Sequence, residues 1–291
     1  AQTQGLTAGD YSDAIQLLKN KDQYNFNVIS TPGLIYAFAD HKIQLDALIA
    51  NTTSRGDSIL PIDVSAYGAT VAATVTTAES LNTNYAAAYW PWLLVNDQNT
   101  GANVWAPAST VIPSVYVYND TQSRAWFAPA GFTRGTMPGV VTPEKTLPRG
   151  LRDTLYTGKV NPIATFPGTG VVVYGQKTLQ NLSTALDRVN VRRLLITLKD
   201  FIGNLSQTLV FEPNSLQTRN SFLSTVNPYL EGVQQNQGLY AFKVVMDDSN
   251  NGPAVIDRNE LRGAIYLQPV KTAEFIVLDF NLLPTGAEFP A

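Results

Sequence analysis

The chain has 291 residues, 44% of them hydrophobic, enough for one large or two modest cores. Charged residues make up only 15% and the net charge is −3, which leaves no electrostatic case for nucleic acid or an anionic membrane as a direct partner. One histidine and no cysteine exclude disulfides, thiolate nucleophiles and the usual zinc sites, and no cofactor is expected. The absence of cysteine fits folding in a reducing cytosol. A low-charge surface suits packing against copies of the same chain, and equally a Thr/Asn/Gln-rich solvated surface. The stretch Ala1 to Asp10 is polar and lacks the basic and apolar regions of a signal peptide. The longest apolar run, Ala86 to Val95, is too short to span a membrane and contains Pro91, so no membrane insertion is expected.

In chain order, Asp10 is placed to cap a short helix with Ala14, Leu17 and Leu18 on one face. Asn25 to Ser30 alternates like a strand and stops at Thr31-Pro-Gly33. Residues 34–53 read as a helix with Ile35, Phe38, Ala39, Ile43, Ala47 and Ile49 mostly toward one side. Asp57 to Asp63 reads as a strand, 67–81 as a weak helix, and Tyr85 to Val95 as a third strand. Ser109 begins another helix, with Pro113 in its first turn, where proline is tolerated. Strand–helix alternation of this kind implies an α/β layer fold.

Residues 131–150 are rich in Gly, Pro and Thr and form the expected linker. After them come a helix at Leu151 to Gly158 and strands at Pro162 to Phe166 and Gly170 to Tyr174. The clearest helix spans 187–204, with Val191, Leu194, Leu195, Leu198 and Ile202 as its apolar stripe. A further helix at 215–235 is expected to kink or break at Pro228. Strands follow at 239–246, 261–268 and 274–282. The expected class is therefore α/β (α+β) in two mixed domains, 1–130 and 151–291, joined by 131–150, the second an open mixed sheet flanked by helices.

Catalytic chemistry finds little to work with. The lone His41 lies on a predicted helix, as a surface or flank residue, and no Gly-x-Ser-x-Gly elbow exists to partner it. Asp247 to Gly252 resembles the start of an EF-hand loop, but the twelfth position is Arg258, so it reads as a polar turn. Gly168-Thr-Gly170 precedes a strand and lacks the remaining phosphate-loop residues. Trp90, Trp92, Trp105 and Trp126 make an aromatic cluster that suits a core or an interface better than a sugar platform. No catalytic or metal-binding residue is expected. On the 187–204 helix, Arg188, Arg192 and Lys199 fall within about 40° of one another at the helical angle per residue, as a basic stripe beside the apolar face; Arg193 points elsewhere. Such a stripe is either a solvated flank or a docking surface. The segment Glu274 to Phe280 is almost entirely apolar, as in a strand covered on both faces, and a strand of this kind is suited to pairing with another chain.

Several segments together resemble the tail sheath proteins of contractile-tailed bacteriophages. They are Tyr85-Ala-Ala-Ala-Tyr-Trp-Pro-Trp92, Ala106-Pro-Ala-Ser109, Trp126-Phe-Ala-Pro-Ala-Gly131 with Arg134-Gly135, Val160-Asn-Pro-Ile163 and Gly175-Gln-Lys-Thr-Leu179. Val189-Asn-Val-Arg-Arg193, Phe211-Glu-Pro-Asn214 and Pro269 followed by Glu274-Phe-Ile276 complete the series, and Leu283 to Phe289 looks most like the large sheath proteins of T4-type phages. The order and spacing of these pieces carry the resemblance; no single piece does. Family members usually have an extended N-terminal arm, and large ones have inserted outer domains. The expectation is therefore an ordered portion or truncated form of a longer protein, or a compact member with a short arm.

The resemblance implies a structural subunit of a helical sheath of stacked rings, not an enzyme. The implied partners are copies of itself, the inner tail tube protein, and baseplate and tail terminator proteins. Contraction of the metastable polymer would drive the tube through the host envelope for genome delivery, in a virion tail assembled in the bacterial cytoplasm. It also implies that Phe275, Ile276, Val277, Leu278 and Phe280 pair with a neighbouring subunit, and that Arg188, Arg192 and Lys199 face the tube. The neighbouring readings are the sheath of a phage-derived injection particle or bacteriocin, an α/β hydrolase using paired carboxylates, and a carbohydrate-binding module.

Overall fold

The computed structural model describes residues 5–274. Helix α1, Ala8–Leu17, opens with a reciprocal cap: the Asp10 amide donates to Thr7 Oγ1 and the Thr7 amide donates to Asp10 Oδ2. Asp10 thus sits inside the first turn and Thr7 takes the capping position expected of Asp10. The stretch expected as a strand at Asn25 to Ser30 makes a single bridge, Val28 to Ile59. Helix α2, Ala39–Arg55, starts later than its pattern suggests. Residues just before it are drawn away: Ile35 bridges to Asp63 and the Tyr36 amide donates to Asp63 O. Its buried side carries His41, Leu45, Leu48 and Thr52, while Ile43 is 66% exposed, against expectation.

Strand β1, Leu60–Ile62, and helix α3, Val71–Glu79, follow as expected. The apolar run at Tyr85 to Val95 is two strands: β2, Ala86–Trp90, and β3, Leu93–Asn96. Pro91 lies between them and brings no N–H to a ladder, so the chain leaves one sheet there and enters another. Strand β4, Asn103–Ala106, completes a hairpin with β3. A single 3₁₀ turn, Ala108–Thr110, leads into α4, Ile112–Gln122, with proline in its first turn. Next are α5, Gly131–Arg134, β5, Val140–Pro143, α6, Arg149–Thr157, β6, Val160–Phe166, and β7, Gly170–Val173. The last part contains α7, Val189–Gln207, α8, Leu216–Gln235, β8, Leu239–Val245, α9, Pro253–Ile256, and β9, Ala264–Pro269. Helix α8 runs through Pro228 without a break.

The main sheet has the order β1-β2-β6-β7, parallel except for the antiparallel β6–β7 pair. Its strands come from both sides of residues 131–150. That segment is not a free linker: β5 pairs with β3, Thr136 bridges to Val172, and the Val173 amide donates to Gly135 O. Gly135 is packed so closely that a Cβ there would lie 2.7 Å from Val173 O. The chain is built as one sheet across the expected division, because parallel pairing of β2 with β6 needs a long crossover and 91–159 supplies it.

Alternation along the strands feeds two cores. Leu60, Ile62, Ala86, Ala88, Trp90 and Val160 point to the face covered by α1, α2, α3 and α6. Ile59, Ala87, Tyr89, Ile163, Val171 and Val173 point to the other, with α4 and the start of α7. A third core lies between α7, α8 and the antiparallel β8–β9 ribbon. Helix α7 joins the second and third: Val189 and Ile196 belong to one, Leu194 and Leu198 to the other. The mixed α/β class expected from the pattern is the one observed.

Candidate assembly surface

The basic stripe is taken apart by the fold. Arg192 is only 3% exposed; its guanidinium lies 4.0 Å from the Tyr85 ring centre and donates to Asn84 Oδ1. Burial lowers its pKa below the usual arginine value. Arg188 is half-buried and forked onto Glu274, Nε to Oε1 at 2.7 Å and Nη2 to Oε2 at 3.0 Å, with Asp187 2.9 Å from Nη1. Arg193, on another side of the helix, is buried too and forks onto Asp120 beneath the Tyr116 ring. Lys199 alone of the three stripe residues is exposed. The reason is tertiary: α7 is wedged between the main sheet and the third core, so its flank faces protein along the first two turns.

Around Arg188 the polar groups are crowded. Lys177 Nζ lies 4.5 Å from the Tyr156 ring centre. Burial, and then the Arg188 charge, push the Lys177 pKa down; burial, and then the Glu274 charge, push that of Tyr156 up. Gln176 Nε2 adds a third donor to Glu274, at 3.1 Å from Oε1. Asn190 Nδ2 donates to Thr272 Oγ1 at 3.1 Å and to Trp126 O at 3.3 Å. The chain leaving β9 is therefore fastened against the start of α7 up to Glu274. Phe275, Ile276, Val277, Leu278 and Phe280 lie outside the described residues.

The β8–β9 ribbon offers its own edges. Among the described residues β8 and β9 pair only with each other, so each keeps one unpaired edge. Phe242, Val244, Ile265 and Leu267 are turned toward α7 and α8, while Tyr240 and Tyr266 are 76% and 62% exposed. Beside it is a cavity of ≈ 840 Å³ lined by Ile202, Leu209, Phe222, Met246, Leu261 and Ile265 among others. Two carboxylates, Glu212 and Glu260, also reach this cavity, and Glu260 is held below its usual range by bonds from Arg258 and Arg262.

The remaining sequence candidates have structural roles. His41 is buried, not on a flank, and its Nδ1 accepts from the Ile35 amide at 3.0 Å. Asp247 caps a turn by accepting from the Ser249 amide, and no group of three potential metal ligands occurs among the described residues. Gly168 and Gly170, at φ +78° and +85°, make the β6–β7 turn. Trp90 is buried, and the Trp92 and Trp126 indoles donate to Ser65 O and Asn236 O. An exposed coplanar sugar platform is absent from these three. Among the described residues no helix is long and apolar enough to cross a membrane. Sequence reasoning missed Glu274 as the partner of Arg188. The two are far apart in the chain, and the acid was absorbed into the strand pattern that begins there.

Residues 183–282 match the family described as the phage tail sheath C-terminal domain. This range takes in α7, α8, the β8–β9 ribbon and the Arg188–Glu274 ion pair. The chain is 40% identical over 72% of its length to a tail sheath protein of Vibrio phage KVP40, and 38% identical over 66% to one of Enterobacteria phage T4. It spans 31% and 29% of those relatives, about a third of their length. Its fold is similar to a sheath subunit of PVC, an extracellular contractile injection system, in the contracted state: TM-score 0.78, 25% identity, covering 92% of this chain and 74% of that one. Residues 183–282 thus carry the sheath C-terminal domain pattern, and about two thirds of the chain is similar to phage tail sheath proteins.

Proposed function

We propose that this chain is the structural subunit of a contractile tail sheath. Copies of it would stack as helically related rings around an inner tube, in a virion tail assembled in the host bacterial cytoplasm. The observation that carries the reading is a coincidence of place: the segment similar to sheath proteins is the one whose two-stranded sheet, among the described residues, keeps unpaired edges beside the chain fastened at Glu274. Strand addition there would join subunits through main-chain hydrogen bonds, which tolerate rigid-body reorientation of the bodies they link. The work done is mechanical. Contraction would drive the tube through the envelope and deliver the genome, and the subunit would have no catalytic role.

Tube contact on this helix would rest on exposed Lys199, not on a three-residue stripe. Single exposed ion pairs are worth about 0–1 kcal/mol, weak enough to release during contraction and additive over many subunits. Baseplate and tail terminator proteins would bound the polymer at its ends. The likeness to an injection-system sheath supports the neighbouring reading of a phage-derived particle, which shares the same subunit mechanics. Negative-stain microscopy of the purified protein tests the proposal. Hollow or striated helical polymers are expected; a monodisperse monomer at all concentrations, or turnover of a substrate, would overturn it.

A further inference from the structure

The outer edge of the main sheet is closed by a strap. Strand β1 pairs with β2 on one side. On its other side residues 27–36 run past it. The Ile59 amide donates to Asn27 O at 3.1 Å, the Ile29 amide to Ile59 O at 3.1 Å, and the Tyr36 amide to Asp63 O at 2.9 Å. Pro61, between these contacts, brings no N–H, as suits a sheet edge. Leu34 and Tyr36 of the strap enter the first core. The side chain that fastens its backbone is His41, in the first turn of α2: the Ile35 amide donates to His41 Nδ1 at 3.0 Å in a buried contact. A backbone N–H can only donate, so Nδ1 supplies the lone pair and the ring hydrogen sits on Nε2. That Nε2 is buried and has no partner among the described residues, a standing cost for the fold. One bond therefore depends on one protonation state of the ring. An imidazolium carries a hydrogen on both nitrogens and cannot accept from Ile35.

We propose that residues 27–36 are an acid-sensitive cover for the β1 edge, latched by His41 and loosened when its ring takes up a proton at Nδ1. The inference goes beyond the sheath reading and does not rest on it. Loosening would bare the outer backbone groups at Ile59 and Asp63, which the strap otherwise pairs. The charged and titratable groups on the elements that meet here are Asp40, Lys42 and Asp46 of α2, Tyr36 of the strap, and Asp63 just beyond β1. Lys42 and the Tyr36 hydroxyl both bond to Asp46, and the Asp63 carboxylate is turned to Ser109, so none of these bonds engages the imidazole. Asp63 acts in the opposite sense. Burial raises its pKa to about 7, so it gains its proton in the native state as pH falls, which favours the closed edge. Its contribution must be separated from that of the ring.

The test is hydrogen exchange of the full chain, read by mass spectrometry on peptides spanning 27–38 and corrected for the intrinsic rate at each pH. From pH 8 to pH 5, where an imidazole changes charge, exchange there is expected to rise about tenfold, as for loss of one buried hydrogen bond, while β6 and α7 keep their protection. His41→Asn, whose Oδ1 can take the place of Nδ1 as an acceptor that does not titrate, should abolish the rise. Asp63→Asn, which removes the opposing titration, should enlarge it. The chain has one histidine, so its ring resonances give a readout that needs no substitution and serves if His41→Asn does not fold. Their titration midpoint should coincide with that of the exchange. A rise that persists in His41→Asn or vanishes in Asp63→Asn would overturn the proposal. So would mismatched midpoints, a rise spread over the whole chain, or no rise in the wild type.

Discussion

Asp63 stands at the end of β1 with its carboxylate buried, accepting from the Ser109 amide at 3.0 Å and from the Ser109 hydroxyl. Burial outweighs these bonds and raises its pKa from 3.8 to about 7. The native state then holds a proton that the unfolded chain releases at lower pH. Stability from this group is present below pH 3.8 and falls as pH rises through about 7, by at most ~1.4 kcal/mol per pH unit. Denaturant titrations of Asp63→Asn across pH 4 to 8 should show that slope flattened relative to wild type; an unchanged slope would assign it to other groups. Other residues of the shared segments also work inside the fold. Asn161 bonds to Ala88 O and Lys177 O and accepts from the Lys177 amide. Asn214 ties the α7–α8 turn to Glu260 O. Reading these words in the sequence is possible; reading their partners is not, since the partners lie tens of residues away.

At the scale of elements, α7 carries the most. Its apolar stripe was legible, and Leu194, Leu198, Leu195 and Ile202 do line the third core. Its basic flank is not legible in the sequence, because a helical wheel separates apolar from charged but does not say whether a second layer covers the charged side. Arg192 and Arg193 are charged and buried because Tyr85, Tyr116, Asn84 and Asp120 receive them. Leu194→Ala should cost about 2–5 kcal/mol, the usual range for an emptied core site, while Lys199→Ala should stay within about 0.5 kcal/mol. Chemical denaturation of the two variants measures the contrast. Equal effects would contradict the placement of α7 between two cores.

For the whole molecule, the decisive fact is that β2 pairs with β6 across residues 131–150, joining β1 and β2 to β6 and β7 in one sheet. A fragment comprising 1–130 would lack half of that sheet and the second core's Ile163, Val171 and Val173. It should show no cooperative thermal transition. A sharp transition by circular dichroism would instead restore a domain boundary at that segment. Proline and glycine there, which suggest a linker, build tight turns, a short helix and a strand that dock on β3 and β7.

The sequence by itself determined the class and order of most elements, because periodicity and proline placement are local properties of the chain. It also determined the poverty of catalytic groups, and its ordered segments carried the sheath resemblance. Only the tertiary structure decided how the strands are shared among sheets, which arginines face solvent, and that Arg188 meets Glu274. Each of these depends on what packs against a surface, and a charged side chain looks the same in sequence whether water or a buried carboxylate waits for it.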